Sequence, residues 1–301
     1  MSKQATICQS FTLSGKGLHT GLNIIVKFLP AQENTGIIFR RVDLEEQVEI
    51  PALANYVSAT ERGTVLKKDN ASVSTIEHIM SALMAHGIDN CIIEVDAPEV
   101  PILDGSAKYV VEAIGKVGKK ELNAEKKYFV VEEEMTFTNG TSTIKLLPAD
   151  EFCAEVTVDF NSPILKRQSA TICGFANYNK EISAARTFVF VREIALLLQH
   201  NLIKGGDLDN AIVIYDQPIP KEAITAICNE LKVPSVEVEE LGYLNHRPLE
   251  WENEPARHKL LDLIGDLSLI GMPIKGKIIA EKPGHGYNTF VAQEILKLIK
   301  K

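Results

Sequence analysis

Three polar side chains recur at every fourth residue of an otherwise apolar stretch, residues 257–270. They are His258, Asp262 and Asp266. Residues four apart lie on one face of a helix, one turn above each other. A histidine and a carboxylate in this relation can bind the same metal ion. The spacing also fits a histidine–aspartate hydrogen bond inside a buried helix, so a metal site requires further ligands elsewhere in the chain.

The apolar residues around this polar stripe predict a helix that is mostly buried. They recur at helical spacing and are Leu260, Leu261, Leu263, Ile264, Leu267 and Ile270. Burying a polar group without a partner costs on the order of 2–7 kcal/mol, and burying a charge costs more. The stripe therefore needs partners, either a metal or hydrogen bonds.

A second predicted helix, residues 74–84, carries another candidate ligand. Ser74 or Thr75 is expected to cap it, which places Glu77 and His78 in its first turn. Adjacent helical residues point about 100° apart, so both can border one site, as a zinc ligand and a general base do in zinc hydrolases. No second histidine follows four residues later. An exposed helix start, with Glu77 favoured by the helix dipole, is the alternative.

Two glycine-containing loops carry further histidines. Residues 11–21 predict a strand that enters a Gly-rich turn containing His19, which is either a plain hairpin or a loop whose N–H groups bind phosphate. His285 lies between two glycines in a predicted tight, exposed loop, where an imidazole can transfer protons. Neither loop indicates a function by itself.

The composition indicates a globular protein with one large domain or two medium ones. The chain has 301 residues, of which 45% are hydrophobic and 24% charged. Its net charge of −8 argues against nonspecific nucleic-acid binding. It has neither an apolar run of about 18 residues nor a signal-peptide core, so we expect no integral membrane segment and a cytoplasmic location. The five scattered cysteines are predicted to be reduced, buried and not metal ligands.

A polar, lysine-rich stretch, residues 118–127, predicts a linker between two halves of the chain. We place a domain boundary there, between an N-terminal α/β domain at 1–125 and a C-terminal one at 126–301. An apolar stretch around 187–214 contains a predicted helix at 191–199. That stretch is either an internal helix or a groove for a lipid chain.

Taken together, these segments resemble the zinc-dependent UDP-3-O-acyl-N-acetylglucosamine deacetylases of lipid A biosynthesis. The matching stretches follow the family's order over nearly the whole chain: 14–21, 75–78, 87–90, 101–107, 185–188, 204–211, 257–267 and 284–285. The resemblance implies an α+β fold of two similar domains, each a β-sheet packed with helices in a layered sandwich and each with a small insert. The segment 217–247 is longer than the family's usual link before the central helix. Some relatives continue into a dehydratase domain.

The resemblance also assigns chemistry to single residues. The implied Zn²⁺ ligands are His78, His258 and Asp262. Two histidines, one carboxylate and an open position for water are typical of catalytic zinc. Glu77 would be the general base on that water, His285 would protonate the leaving amine, and Asp266 would hold the imidazole of His285. Thr187, with the metal, would stabilise the developing oxyanion, and Lys259 would face the substrate.

The implied substrate is a UDP-acyl-sugar, whose acetyl group is removed to give UDP-3-O-acyl-glucosamine and acetate. The expected substrate contacts are His19, Phe160, Phe188, Ile194, Leu197 and Lys204. The uridine would lie at residues 159–160, and the insert around 187–214 would form a passage for the acyl chain. We expect a monomer that binds no nucleic acid.

Two other classes of function are open at this stage. One is a metal hydrolase of the same fold that acts on another amide, and its activity would not depend on uridine. The other is a noncatalytic protein that binds lipid or nucleotide, and it would need no open metal site. Metal content and hydrolysis of the UDP-acyl-sugar separate the three classes.

Overall fold

The computed structural model describes residues 2–231, 240–244 and 246–299. The strands are β1 (Lys3–Ile7), β2 (Phe11–Lys16), β3 (Asn23–Pro30), β4 (Ile37–Arg41), β5 (Val48–Pro51), β6 (Val57–Ala59), β7 (Val65–Lys68), β8 (Ala71–Val73), β9 (Cys91–Val95), β10 (Lys119–Glu125), β11 (Phe129–Val130), β12 (Met135–Asn139), β13 (Ser142–Leu147), β14 (Phe152–Val158), β15 (Gln168–Cys173), β16 (Phe188–Phe190), β17 (Ile212–Tyr215), β18 (Gly242–Tyr243) and β19 (Ile274–Glu281). The α-helices are α1 (Glu77–Ala85), α2 (Lys108–Val117), α3 (Tyr178–Glu181), α4 (Val191–Gln199), α5 (Lys221–Leu231), α6 (Glu254–Leu267) and α7 (His285–Ile299).

The two larger sheets repeat one topology. Their strand orders are β2-β3-β9-β4-β5 and β12-β13-β19-β14-β15, and β11 also pairs with β19. In each sheet the central strand, β9 or β19, is antiparallel to one neighbour and parallel to the other. Each central strand is preceded in the chain by one helix, α1 or α6, and followed by another, α2 or α7. The predicted class of two similar α+β units is confirmed.

Each repeat also carries a small extra sheet between its last edge strand and the helix before its central strand. In the first repeat this sheet is β6-β7-β8, and in the second it is β16-β17-β18 with α4 and α5 nearby in the chain. The apolar insert predicted around residues 187–214 covers β16, α4 and most of β17. These two sheets match the small insert predicted for each domain.

Helices α1 and α6 pack against each other, and α6 also packs on β14, β15 and α7. Strand β19 alternates buried and partly exposed residues along its whole length, as a strand does when one face covers a core. The apolar residues of α6, from Leu260 to Ile270 beyond its end, are almost completely buried, as its periodicity predicts. Within the described residues, no helix is both long and apolar enough to cross a membrane.

The predicted linker at 118–127 is wrong in its secondary structure. Residues Lys119–Glu125 form β10, which pairs antiparallel with β1. Five of its seven side chains are polar and most are exposed, so hydrophobic patterning does not reveal it. Backbone hydrogen bonding to β1, whose Ala5, Thr6 and Ile7 are buried, specifies this strand. The domain boundary at 125/126 stays a prediction.

The prediction that every cysteine is reduced and buried is also wrong. Cys153 and Cys173 face each other across β14 and β15, with Cα atoms 4.1 Å apart, and form a disulfide. Register between two strands decides this pairing, and the spacing of 20 residues does not show it. Cys91 and Cys228 are free and buried, as expected, whereas Cys8 is free and exposed.

Candidate metal and catalytic site

Helices α1 and α6 place two histidines and a carboxylate close together. His258 Nε2 lies 3.3 Å from Asp262 Oδ1, and His78 Nε2 lies 3.7 Å from the same oxygen. The ligand atoms of all three residues are within 4.8 Å of one another. His258 Nδ1 donates to the carbonyl of Ala185 at 2.9 Å. Because a carbonyl only accepts, this bond leaves the lone pair on Nε2, the nitrogen that faces Asp262.

The charge state of this group suits a cation. Asp262 Oδ1 is buried and has no hydrogen-bond partner among the described residues. Burial acts to raise the pKa of Asp262, but the neighbouring His258 and Lys259 outweigh it and hold that pKa well below its usual range. Burial and the nearby His258 lower the pKa of His78 to about 3. Burial lowers the pKa of His258 as well. Two neutral imidazoles and an ionised carboxylate are the protonation states that a divalent metal requires.

Glu77 and His285 lie beside this group. Their pKa values are raised, whereas those of His78 and Asp262 are lowered. Burial raises the pKa of Glu77, which is 2% exposed, to about 7. Burial acts to lower the pKa of His285, but the carboxylates of Asp266, Asp262 and Glu77 raise it to about 9. His285 Nε2 is 3.9 Å from Glu77 Oε1 and 3.7 Å from Asp262 Oδ2. A carboxyl group with a pKa near neutrality and an imidazole with a higher pKa therefore share one site, an arrangement suited to a base and an acid.

Asp266 holds the imidazole of His285 from the opposite side. Its Oδ2 accepts from His285 Nδ1 at 3.0 Å and from Asn288 Nδ2 at 2.9 Å. The predicted exposed loop around His285 is wrong, because His285 is the first residue of α7 and its side chain is only 11% exposed. The flanking glycines favoured a loop, but the N–H of Asn288 already bonds the carbonyl of Gly284.

Helix α1 begins without the predicted side-chain cap. Ile76 is the residue before the helix, and no side chain caps the start. Thr75 instead adopts a left-handed φ of 62°, and its hydroxyl donates to Glu99 Oε1 at 3.2 Å. A β-branched residue with positive φ is rare and strained, and such strain clusters at functional sites. Helix α1 begins directly after this strained turn, with Glu77 as its first residue.

Gly265 lets α1 approach α6 closely. A Cβ atom built on Gly265 would overlap the carbonyl group of Glu77. Gly265→Ala is therefore expected to destabilise the protein by about 1–3 kcal/mol, the usual size of core overpacking. Urea unfolding measures this loss. Gly115 lies inside α2, and a Cβ atom placed on it would meet open space, so Gly115→Ala is the matched control and should stabilise by about 0.5–1 kcal/mol. Equal effects of the two changes would contradict the close approach.

An apolar cavity of about 240 Å³ opens beside His285 and Lys259. Its walls come mainly from the second insert. Of the residues predicted to contact substrate or oxyanion, those that line it are His19, Phe160, Thr187, Phe188, Ile194 and Lys259. Leu197 does not line it and is buried in the apolar cluster behind the wall. The side chain of Lys204 is exposed and does not line it either. Both remain predictions without support from the cavity.

Lys259 and Thr187 have neighbours that the sequence did not indicate. The ammonium of Lys259 donates to Asp262 Oδ2 at 2.8 Å and lies 5.5 Å from the centre of the Phe188 ring. The backbone N–H of Thr187 donates to Gly105 O at 2.8 Å, and its carbonyl accepts from Ile212 N at 2.7 Å. Thr187 is thus held rigidly at the cavity wall.

The Gly-rich loop at 14–21 forms a hairpin turn that packs on the second insert. The N–H groups of His19 and Thr20 donate to Glu99, which is fully buried. His19 Nδ1 accepts from Ile203 N at 3.3 Å, and its Nε2 is buried without a hydrogen-bond partner in the described part of the chain. Burial lowers the pKa of His19, so a neutral imidazole faces the cavity.

Several residues around the site were not found from the sequence. They are Arg62, Thr64, Glu99 and Asn288. Arg62 forms a 2.6 Å ion pair with Glu193 of α4, and both residues line the cavity. Asn288 could have been found, because it lies three residues after His285 on the same helix face. The other three act through contacts between distant segments, which no local spacing reveals.

Comparison with known proteins shows the family of the chain. The family model for "LpxC: UDP-3-O-acyl N-acetylglycosamine deacetylase" matches residues 4–232 and 234–297. The bifunctional enzyme LpxC/FabZ of Porphyromonas gingivalis is 52% identical over 303 residues, covering 100% of this chain and 66% of that enzyme. The bifunctional LpxC/FabZ of Bacteroides thetaiotaomicron is 51% identical over 302 residues, with the same coverage. A UDP-3-O-acyl-N-acetylglucosamine deacetylase of Saccharophagus degradans is 40% identical over 304 residues, covering 100% of this chain and 91% of that protein.

The chain thus spans 66% of the length of the two bifunctional relatives. It spans 91% of the Saccharophagus degradans protein, which is named for the deacetylase alone.

Proposed function

We propose that this chain, which belongs to the LpxC family of UDP-3-O-acyl N-acetylglycosamine deacetylases, hydrolyses the acetamide of a UDP-3-O-acyl-N-acetylglucosamine. Water cleaves the amide C–N bond, and the products are acetate and UDP-3-O-acyl-glucosamine, a step of lipid A biosynthesis. The observation that carries this proposal is the buried oxygen of Asp262, unpartnered within the described residues, beside two neutral histidines and an acid–base pair.

We assign a Zn²⁺ site to His78, His258 and Asp262. Two histidines and one carboxylate are a ligand set of catalytic zinc, and their ligand atoms converge within 4.8 Å. When bound, the metal supplies a Lewis acid that polarises the amide carbonyl and lowers the pKa of a water molecule. Iron in the purified protein would be the alternative to zinc.

The remaining chemistry belongs to side chains of this chain. Glu77 takes a proton from the attacking water, since its buried carboxylate has a pKa of about 7 and borders the ligand set. His285 Nε2–H gives a proton to the departing amine nitrogen, while Asp266 fixes the ring through Nδ1. We assign to Thr187 the stabilisation of the negative charge that develops on the carbonyl oxygen.

The apolar cavity would hold the 3-O-acyl chain, with Phe188 and Ile194 in its wall. Phe160, which packs edge-on against Phe188 with ring centres 5.3 Å apart, is a candidate surface for the uridine. Lys259 reaches the same cavity and would contact the polar part of the substrate. We keep the predicted monomeric state and cytoplasmic location as parts of the proposal; gel filtration and cell fractionation test them.

The metal assignment predicts the behaviour of Asp262→Ala. Removal of the anionic ligand should lower zinc affinity by at least about 10- to 100-fold, the range found even for residues that only support ligands. Elemental analysis after dialysis, together with acetate release from the UDP-acyl-sugar, measures both effects. Asp150→Ala, at an exposed carboxylate, is the control and should keep one zinc per chain. An Asp262→Ala protein with full zinc and full activity would contradict the assignment.

A further inference from the structure

The loop between β6 and β7 carries a buried threonine that contacts two carboxylates, that of the proposed base Glu77 and that of Asp266, which holds the proposed acid His285. Thr64 is 0% exposed. Its backbone N–H donates to Glu77 Oε2 at 3.0 Å. Its hydroxyl donates to Asp266 Oδ1 at 2.5 Å. One residue of the first insert therefore connects the first turn of α1 with the last turn of α6.

The two contacts divide between backbone and side chain, so they can be changed separately. The N–H to Glu77 survives any substitution except proline. The hydroxyl to Asp266 depends on the side chain alone. A hydroxyl that donates to a carboxylate at this short distance forms a charge-assisted bond, which is among the stronger hydrogen bonds in proteins.

Asp266 needs such a donor to keep a single orientation. The terminal torsion of an aspartate is broad and nearly two-fold, so the donors around the carboxylate set its plane. Oδ2 accepts from His285 and Asn288, both on α7, and Oδ1 accepts from Thr64. Without the hydroxyl, Oδ1 would lose this donor inside the core, and the plane of the carboxylate would follow α7 alone.

The loop that carries Thr64 is itself held from two sides. Arg62 adopts a left-handed φ of 63° and pairs with Glu193 on α4, across the cavity. A Cβ built on Gly63 would lie 3.2 Å from Glu77 Oε1, so the loop backbone lies directly against the carboxylate. Thr64 is therefore part of a fixed wall and not of a freely moving loop tip.

We propose that Thr64 is a positioning residue of the reaction. Through its hydroxyl it fixes the plane of Asp266 and so aims the imidazole of His285 at the leaving nitrogen, while its N–H fixes Glu77. The inference rests on the proposed deacetylase function for its kinetic part. Its geometric part, the link from the Thr64 hydroxyl through Asp266 to His285, can be read without any activity.

The test compares Thr64→Val, which removes only the hydroxyl, with Thr64→Ser, which keeps it. Thr64→Val should lower kcat by about 10- to 100-fold with KM and zinc content unchanged, as supporting residues do. Thr64→Ser should recover most of that loss. The matched control is Thr6→Val, because Thr6 is also buried and its hydroxyl oxygen accepts from Ala31 N away from the site. It should lower stability but not kcat.

Two further measurements separate positioning from a merely structural role. In an Asp266→Asn background, Thr64→Val should have little additional effect on kcat, because the residue acts through Asp266. In NMR spectra of the zinc-loaded protein, the His285 ring signals should shift in Thr64→Val, return in Thr64→Ser and stay unchanged in Thr6→Val. If Thr64→Val only weakened the folding of the loop, it would change neither the dependence on Asp266 nor the His285 ring signals.

The outcomes distinguish this inference from the proposed function. An active wild type whose Thr64→Val variant keeps kcat and the His285 signals would overturn the inference alone. Additive losses in the Asp266→Asn background would also overturn it. If the wild type loaded with zinc releases no acetate, the proposed function fails, and the NMR comparison still decides the role of Thr64. Should Thr64→Val not fold, the ratio of kcat and the difference in His285 shifts between Thr64→Ser and Thr64→Ala replace it.

Discussion

Glu77→Ala is expected to keep its metal while turnover falls by about 10²–10⁴-fold, the usual contribution of a positioned general base. Glu77 borders the ligand set but accepts a hydrogen bond from Thr64 N, and it lies one residue before His78. Its atoms could also group with those of Asp262 and His285, so metal content is the deciding measurement. Zinc per chain and kcat should be measured on the same preparation.

The matched variant is Glu77→Gln, which keeps the shape of the side chain and the acceptor for Thr64 N but cannot remove a proton. It should be as inactive as Glu77→Ala and equally rich in zinc. Loss of zinc in both variants would mean that Glu77 is a ligand and that another group is the base. The exposed Glu45 provides a control, since Glu45→Ala should change neither quantity.

Glu77 and His285 together predict a bell-shaped dependence of kcat/KM on pH. The proposed mechanism requires Glu77 to be ionised, so the rate should rise with pH through the pKa of Glu77, which burial raises to about 7. It requires His285 protonated, so the rate falls above the pKa of His285, which its carboxylate neighbours raise to about 9. A bound cation favours the deprotonated forms and moves both limbs to lower pH. The two limbs belong to the coupled pair, and His285→Ala should remove the alkaline one.

The candidate metal ligands on α6 could be grouped from the sequence because one regular element positions them. A spacing of four residues fixes His258 and Asp262 on one helix face whatever the rest of the fold does. Glu77 and His78 could be identified as candidates, but their position beside α6 depends on Gly265, whose missing Cβ admits the backbone of α1. The sequence shows a glycine inside a helix, and only the packing shows why a larger residue would not fit there.

The residues that escaped prediction act between segments far apart in the chain. Thr64 meets Asp266 across 202 positions, and Glu99 meets His19 across 80. Strand β10 and the Cys153–Cys173 pair likewise depend on a partner strand and its register. Local sequence patterns carry no information on such contacts. They therefore identify helices and their faces but not the distant residues that position the side chains of a site.

The repeated topology explains how one site draws on both halves of the chain. Helices α1 and α6 hold the same place before the central strands of their sheets, and they pack on each other. One carries Glu77 and His78, and the other carries His258, Asp262 and Asp266. Because the two helices pack on each other, these side chains are buried, and this burial raises the pKa of Glu77 and lowers that of His78.

The length of the acyl chain is expected to control catalytic efficiency. Burying each methylene contributes about 0.8 kcal/mol, so kcat/KM should rise roughly 4-fold per carbon and about 200-fold over four carbons. The rise should stop when the cavity of about 240 Å³ is filled, and longer chains should then react more slowly. A series of UDP-3-O-acyl substrates that differ only in chain length measures this profile.

Ile194→Asp tests the same cavity from the protein side. Ile194 lines it, so a carboxylate there should penalise long chains far more than short ones and flatten the length profile. Leu196→Asp is the matched control, because Leu196 lies on the same helix, is 58% exposed and does not line the cavity. Leu197→Asp should behave differently again, since that buried residue packs behind the wall and its loss should lower Tm and affect all chain lengths equally. A folded Ile194→Asp protein with the wild-type length profile would show that the acyl chain binds elsewhere.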